Sequence, residues 1–296
     1  MVDIDLDLAL VTARRAVEAG ARAALARFDR GIRVEIKPDR TPVTAADRDS
    51  ESAILEVLRG TFPEHAILGE ESGFHAAVAK ATPGAQRQRT SAEPPPPGEG
   101  SPEPVTRWIV DPIDGTRGFT RGESFWGPLV ALEHQGEVVV GAMALPVPEE
   151  VYFAARGRGA WLCTHGGAPK RLDVSRIAEW SDATLSLGEP GILLAPPLAD
   201  RIGELATTCA RTRCYGDLAG FAMVLAGRAE AWIEAGVQVW DLAPMKVLVE
   251  EAGGKFTDLL GRPAITSGNC VASNARLHAH VLAALRATPA PRDSHP

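Results

Sequence analysis

The chain lacks an excess of basic residues. Its 31 Lys and Arg residues face 38 Asp and Glu residues, giving a formal net charge of −7. Because nucleic-acid-binding proteins concentrate positive charge, this balance argues against a nucleic-acid partner. Cysteine is also scarce. The four cysteines form no CxxC pair and no zinc-site spacing, so we predict reduced, buried thiols at Cys163, Cys209, Cys214 and Cys270.

Long apolar runs are missing too. No run approaches the roughly 18 residues that a membrane-spanning helix needs. The stretch Met1 to Asp5 is acidic where a secretory signal would be basic. We therefore predict a cytoplasmic protein with no membrane partner. The composition, 45% hydrophobic and 23% charged, is that of a globular protein and excludes disorder throughout.

The sequence does contain an ordered series of helix and strand patterns. An apolar stripe from Leu10 to Phe28 predicts a long first helix, and a second helix follows Thr44 and ends near Gly60. Apolar runs between residues 108 and 155 predict an antiparallel meander, and shorter helices and strands follow it. Layers of helix and sheet are the expected result.

We expect one domain over residues 1–288, built from packed halves of about 1–185 and 186–288. Residues 76–105 break the pattern with seven prolines and almost no large apolar side chain. They are predicted to form a flexible surface insertion. Residues 289–296 are predicted to be a disordered tail.

Carboxylates stand directly behind the predicted strands. Buried carboxylates without partners are costly, so a cation is expected to hold them together. An all-oxygen set without His or Cys suits Mg²⁺, which keeps water and substrate phosphate as further ligands. Four carboxylates carry a charge of about −4 and a phosphate monoester adds about −2, which two or three Mg²⁺ ions would roughly neutralise. The residues concerned are Glu70, Asp111, Asp114 and Asp241.

The segment between Asp111 and Thr116 adds detail to this site. Pro112 stiffens the backbone, and the Ile113 carbonyl provides a further oxygen ligand. Gly115 lets the backbone approach a ligand, so that the amides of Gly115 and Thr116 can donate to phosphate oxygens. The Thr116 hydroxyl is a candidate for orienting an attacking water.

Three blocks of the chain resemble the inositol monophosphatase superfamily of Mg²⁺-dependent, lithium-sensitive phosphatases. They are Gly69-Glu-Glu71, Trp108-Ile-Val-Asp-Pro-Ile-Asp-Gly-Thr116 and Trp240-Asp-Leu-Ala-Pro-Met-Lys-Val-Leu-Val-Glu-Glu-Ala-Gly-Gly254. The blocks occur in the family's order, and the similarity runs from about residue 8 to residue 285. The resemblance implies an α+β fold, the layered αβαβα sandwich of that superfamily, and suggests a homodimer.

The resemblance also implies roles for individual residues. Metals would be held by Glu70, Asp111, the Ile113 carbonyl and Asp114, with Asp241 binding the second ion. Asp47 and Glu70 match the ligands of a third, weaker metal. Thr116 would help position the water for direct in-line attack on the phosphate, without a phosphoenzyme.

Several residues have a structural alternative. Asp47 can instead cap the helix after Thr44, and Asp241 can cap its own helix, although Pro244 removes one amide that such a cap uses. We interpret Glu71 as a solvated turn residue. Trp108, Trp126 and Trp240 are interpreted as core aromatics.

Two residues are candidates for recognising the alcohol that is released when the phosphate is removed. Glu234 precedes Asp241 by seven residues, the spacing of a substrate-binding glutamate in inositol monophosphatases. Asp217 lies where those enzymes have small residues, and it would attract a cation, although it can also cap the helix from Leu218. With Glu234 it suits the ammonium and imidazole of histidinol phosphate.

We therefore predict a histidinol-phosphate phosphatase of histidine biosynthesis. Inositol monophosphatase is the alternative. A 3′(2′),5′-bisphosphate nucleotidase is disfavoured because its second phosphate would meet Asp217. A non-catalytic metal-binding homologue is disfavoured because all the candidate ligands are present.

Overall fold

The protein is a five-layer αβαβα sandwich in its computed structural model, which describes residues 4–28, 34–37, 42–77 and 106–286, except for the side chain of Asp217. The predicted fold class is confirmed. Most of the predicted insertion at 76–105 and all of the tail at 289–296 lie outside the described residues. The division into halves at about residue 185 stays a prediction.

Helices and strands alternate along the chain. The helices are α1 (Leu6–Leu25), α2 (Ala45–Thr61), α3 (Thr116–Phe119), α4 (Pro190–Leu193), α5 (Ala199–Thr208), α6 (Asp217–Leu225), α7 (Val239–Glu251) and α8 (His278–Arg286). The strands are β1 (Val34–Ile36), β2 (Pro42–Thr44), β3 (Ala66–Gly69), β4 (Gly73–His75), β5 (Thr106–Asp114), β6 (Gly127–His134), β7 (Glu137–Leu145), β8 (Glu150–Ala155), β9 (Gly159–Thr164), β10 (Lys170–Leu172), β11 (Thr184–Leu187), β12 (Arg211–Arg213), β13 (Ala231–Ala235), β14 (Gly254–Thr257) and β15 (Asn269–Asn274).

Two sheets form the β layers. The first has eight strands in the order β10-β9-β8-β7-β6-β5-β3-β4. The run from β5 to β8 is the predicted antiparallel meander, and β9 and β10 extend it. The second has five strands in the order β12-β11-β13-β15-β14. Strand β3 pairs in parallel with β5, so the carboxyl ends of these two strands meet at one edge of the first sheet.

Alternating side chains of β5 show how the layers are held together. Trp108 and Val110 pack with α1 and α2 on one face of the first sheet. Ile109, between them, points to the opposite face and packs with α6 and α7. Those two helices also contact the second sheet, whose outer face is covered by α5 and α8. Helices α6 and α7 therefore form the central layer.

Two local predictions need correction. Cys163 and Cys270 are buried free thiols as predicted, but Cys209 is half-buried and Cys214 is exposed. Both lie beside the edge strand β12, with Cys209 partly buried against the core of the second sheet. Asp111 and Asp114 do not stand behind the strand as predicted but lie within it, because β5 continues to Asp114. None of the helices in the described ranges is long and apolar enough to cross a membrane.

Candidate active site

Three carboxylates converge at the end of β5. Asp111, Asp114 and Asp241 each offer one oxygen, and these oxygens lie within 4.8 Å of one another. They line a cleft of about 660 Å³ together with Glu70 and Thr116. The structure therefore brings together five residues that sequence analysis predicts for one site.

An irregularity in β5 lets two of these aspartates face the same cleft. Asp111 and Asp114 are three residues apart, so in a regular strand their side chains would point to opposite faces. Here Asp111 pairs with Leu129 while Asp114 pairs with Gly127, so three steps along β5 match two along β6. This register shift turns the second side chain toward the first.

Helix α7 supplies the third carboxylate from the second half of the chain. Asp241 lies in the first turn, where its Oδ2 accepts a hydrogen bond from the Gln238 amide at 2.7 Å. The alternative of a capping role therefore holds in part, because the same side chain caps α7 and enters the carboxylate cluster. Pro244 lies inside the helix without ending it.

The carboxylate cluster has the electrostatics of a cation site. Burial, followed by the charges of Glu70, Asp241 and Asp114, raises the pKa of Asp111 well above its usual range. Asp111 Oδ1 also accepts a hydrogen bond from the Ile113 amide at 2.9 Å, which fixes its orientation. Oxygen donors alone, crowded and partly desolvated, fit a hard divalent cation such as Mg²⁺.

Glu70 has a cationic partner that sequence analysis missed. Lys37 Nζ lies 2.9 Å from Glu70 Oε1 and 2.5 Å from Glu71 Oε1. Hydrogen bonds to both carboxylates outweigh burial and raise the pKa of Lys37, which therefore stays charged at neutral pH. The interpretation of Glu71 as a solvated turn residue is wrong, because its side chain is only 12% exposed and burial raises its pKa to about 7.

Asp47 has the capping role considered for it and also contacts Thr116. Its Oδ2 accepts hydrogen bonds from the Thr44 amide and hydroxyl, both at 2.7 Å, and so closes a capping box at the start of α2. Its Oδ1 faces the Thr116 hydroxyl at 3.3 Å. Burial raises the pKa of Asp47. Its predicted role as a third-metal ligand stays a prediction.

Two further α2 side chains hold the loops of the site in place. Ser50 donates to the Pro112 carbonyl at 2.8 Å, and buried Glu51 accepts from the Glu71 amide at 3.0 Å and the Ser72 amide at 3.2 Å. Sequence analysis missed both residues. A signal was available, because Asp47 and Glu51 begin the same helical stripe that continues in the apolar residues of α2.

The backbone after β5 is arranged as the motif predicts. Gly115 has φ of 79°, a left-handed conformation that glycine adopts without strain. The Thr116 hydroxyl donates to the Ile113 carbonyl at 2.9 Å, so this carbonyl lies on the site side of the chain. The predicted ligand role of Ile113 and the predicted phosphate contacts of Gly115 and Thr116 stay predictions.

The two predicted specificity residues differ in position. Glu234 is 4% exposed, and its Oε1 accepts from the Glu189 amide at 2.8 Å and the Ala235 amide at 2.9 Å. Asp217 is the first residue of α6, where Gly216 is the N-cap, and its side chain lies outside the described structure. Gly216 rather than Asp217 therefore stands at the N-cap position, and the predicted substrate role of Asp217 stays a prediction.

Two of the three tryptophans interpreted as core aromatics are buried in the core, and Trp240 is not fully buried. Trp108 and Trp126 are fully buried. Trp240 is only partly buried against the core, and it lines the cleft beside Asp241. Its position in the first turn of α7 places it at the boundary between core and cleft.

Comparison with known proteins identifies the family. A model of the inositol monophosphatase family matches residues 5–290. The chain belongs to the inositol monophosphatase family. Members of this family depend on metal ions, in agreement with the carboxylate cluster. The predicted enzyme class, a phosphoric monoester hydrolase, is confirmed.

Individual family members align with nearly the whole chain. A histidinol-phosphatase of Mycobacterium tuberculosis is 38% identical, covering 96% of this chain and 98% of that protein. A histidinol-phosphatase of Chlorobaculum parvum is 35% identical, covering 95% and 96%. The crystal structure of extragenic suppressor protein SuhB from Bartonella henselae has a TM-score of 0.75 and 27% identity, covering 93% of this chain and 97% of that one.

Proposed function

We propose that this inositol monophosphatase family member is a Mg²⁺-dependent histidinol-phosphate phosphatase. The convergence of Asp111, Asp114 and Asp241 in an open cleft carries the assignment of the chemistry. The histidinol-phosphatases that are 38% and 35% identical over nearly the whole chain support the choice of substrate. Nothing in the described cleft favours inositol monophosphate over it.

Two or three Mg²⁺ ions would be held by Glu70, Asp111, the Ile113 carbonyl and Asp114, with Asp241 on the second ion. Bound Mg²⁺ supplies charge neutralisation for the phosphate and lowers the pKa of water. The pairing of Glu70 with Lys37 means that one carboxylate oxygen already faces a fixed positive charge. We infer that this lysine helps to orient Glu70 beside the aspartates.

Thr116 and Asp47 are arranged to position a water molecule. The Thr116 hydroxyl has acceptor capacity left after it donates within the protein, so it can receive a hydrogen bond from water. The single hydroxyl proton points to the Ile113 carbonyl at 2.9 Å or, after rotation of the hydroxyl, to Asp47 Oδ1 at 3.3 Å. From the second orientation it can pass to Asp47 as the Thr116 oxygen takes a proton from the water. Because burial raises the pKa of Asp47, this carboxylate is a better proton acceptor than an exposed one.

Gly115 and Thr116 are proposed to contact the phosphate through their backbone amides, and Asp217 remains a proposed recognition group for the alcohol. Buried Glu234, which accepts hydrogen bonds from the Glu189 and Ala235 amides, is proposed to act on the alcohol through the backbone that it holds. A homodimer and a cytoplasmic location are part of the same proposal. The family resemblance supports the first, and the composition supports the second.

Phosphate release tests the proposal. Histidinol phosphate and inositol monophosphate should be compared as substrates, each with Mg²⁺ and with a chelator. We expect Mg²⁺-dependent release with the higher kcat/KM for histidinol phosphate. A clear preference for inositol monophosphate would assign that substrate instead, and release that is equal with chelator would contradict the metal-dependent chemistry.

A further inference from the structure

The two halves of the chain give the cleft chemically different walls. Beyond the predicted metal ligands Glu70, Asp111 and Asp114, the first half contributes Arg117 and Arg121 together with the acidic Glu123. The second half contributes Glu189, Gly236, Gln238, Trp240 and Asp241. Beyond the predicted metal ligand Asp241, the described residues of this second wall contain one carboxylate, Glu189, and no basic side chain. A cationic group on the substrate would therefore be attracted to the second wall.

Glu189 is the carboxylate of that wall that lies outside the metal cluster. It is exposed and directly precedes α4, where its Oε1 accepts a hydrogen bond from the Gly191 amide at 2.9 Å. This bond fixes the direction of the side chain. A carboxylate has about four acceptor positions, so Glu189 retains the capacity to bind an ammonium group.

Glu234 holds the backbone of Glu189 from the buried side of the chain. Its buried carboxylate accepts a hydrogen bond from the Glu189 amide at 2.8 Å. Gly188 lies against the same carboxylate so closely that any side chain at position 188 would collide with it. Glu234 thus holds the backbone that carries Glu189, and Glu189 itself is exposed to the cleft.

We propose that Glu189 is a specificity-determining residue, which binds the cationic end of the leaving alcohol, and that Glu234 is its positioning residue. This inference rests on the proposed function. Glu123 is less suited to the same task because Arg117 and Arg121, which offset its charge, lie in the same wall. The substrate class is an alcohol phosphate with an ammonium or protonated imidazole near the phosphate.

The test compares Glu189→Gln with the matched control Glu123→Gln on two substrates, histidinol phosphate and the uncharged-alcohol ester glycerol 2-phosphate. In Glu189→Gln we expect KM for histidinol phosphate to rise about tenfold or more, the range for a lost charged hydrogen bond. Its kcat for histidinol phosphate and both constants for glycerol 2-phosphate should stay within about twofold. Glu123→Gln should leave the preference between the substrates unchanged.

The positioning role has its own readout. Glu234→Gln should reduce the preference for histidinol phosphate in the wild-type background but have no further effect on it in a Glu189→Gln background, because both act through one contact. Additive losses of preference would overturn the positioning role.

Failure of this inference and failure of the proposed function are distinguishable. If the wild-type enzyme hydrolyses glycerol 2-phosphate but not histidinol phosphate, the proposed function falls and the role of Glu189 falls with it. If histidinol phosphate is hydrolysed but Glu189→Gln matches wild type, only the role of Glu189 is overturned. A shift in preference caused by Glu123→Gln instead would move the cation site to the opposite wall.

Discussion

Replacing Asp111 by Asn should stabilise the metal-free protein while it destroys activity. The substitution keeps the local hydrogen bonds, because Asn Oδ1 can still accept from the Ile113 amide and its Nδ2 can donate to Asp241. The substitution removes the buried charge of Asp111, which lies beside the charges of Asp114 and Asp241. Because these charges repel one another, the wild-type site lowers the stability of the folded protein when no cation is bound.

The magnitude follows from the geometry of the carboxylate cluster. Oxygens within 4.8 Å of one another repel, when both are charged, by about 3 kcal/mol or more per pair at an effective dielectric constant of about 20. Protonation of Asp111 limits this cost, so we expect a net gain of about 1–3 kcal/mol. At roughly 2 °C per kcal/mol for a chain of this size, Tm should rise by about 2–6 °C.

The effect should depend on pH with a definite sign. The pKa of Asp111 is raised in the folded state, so folding is penalised as pH rises above the unfolded value of about 4 and through the folded pKa. The advantage of the Asn variant should therefore be smallest in acid and largest in mildly alkaline buffer. The advantage is small in acid because Asp111 is then protonated and, like Asn, carries no charge.

Thermal unfolding in chelator and in Mg²⁺ provides the assay, with phosphate release measured alongside. Added Mg²⁺ should raise the Tm of the wild type more than that of Asp111→Asn, and kcat/KM should fall by about 100-fold or more. Asp258→Asn is the matched control, since hydrogen bonds from Arg262 and other groups outweigh burial and lower the pKa of Asp258. That variant should lose stability. A lower Tm for Asp111→Asn in chelator would refute the reasoning.

Variants at three further positions test the surroundings of the carboxylate cluster. Glu51→Gln should lower the free energy of unfolding by about 1–3 kcal/mol, because the new amide group would face the backbone N–H donors of Glu71 and Ser72. Urea unfolding measures this loss, and unchanged stability would contradict the role of Glu51. Thr116→Val should lower kcat about 100-fold with little change in KM, whereas Thr116→Ser should retain most of the activity; equal rates would argue against a water-positioning hydroxyl. Burial raises the pKa of Glu71 to about 7, so the wild type should lose stability between about pH 5 and pH 8, and Glu71→Gln should show a smaller loss in metal-free buffer.

Much of the architecture can be predicted from local sequence patterns. The apolar runs of the meander and the stripe of α1 are each contained in a short stretch of chain, so their periodicity identifies them. The convergence of Asp111 and Asp241 follows a similar logic, since both acids stand beside apolar segments that must be buried. Each stands at the end of such a segment, where a cleft can form.

The sequence is less informative where a contact depends on packing between distant segments. Lys37 is 33 positions from Glu70, and no local pattern connects them. The direction of the Glu234 side chain is another example, because the spacing to Asp241 does not reveal that its carboxylate accepts two backbone amides. Glu189 belongs to no recognisable motif, and its position in the cleft near Asp241 is what shows its relevance.

Helix α7 couples the packing of the two sheets to cation binding at the carboxylate cluster. It packs against β5, β6, β7 and β8 of the first sheet and against β14 and β15 of the second. The same docking that joins the two sheets carries Asp241 to Asp111 and Asp114. A cation held by all three carboxylates would therefore tie the sheets together, and its binding free energy would count toward their cohesion. Loosening this central layer would in turn weaken cation affinity, even through a substitution far from any ligand.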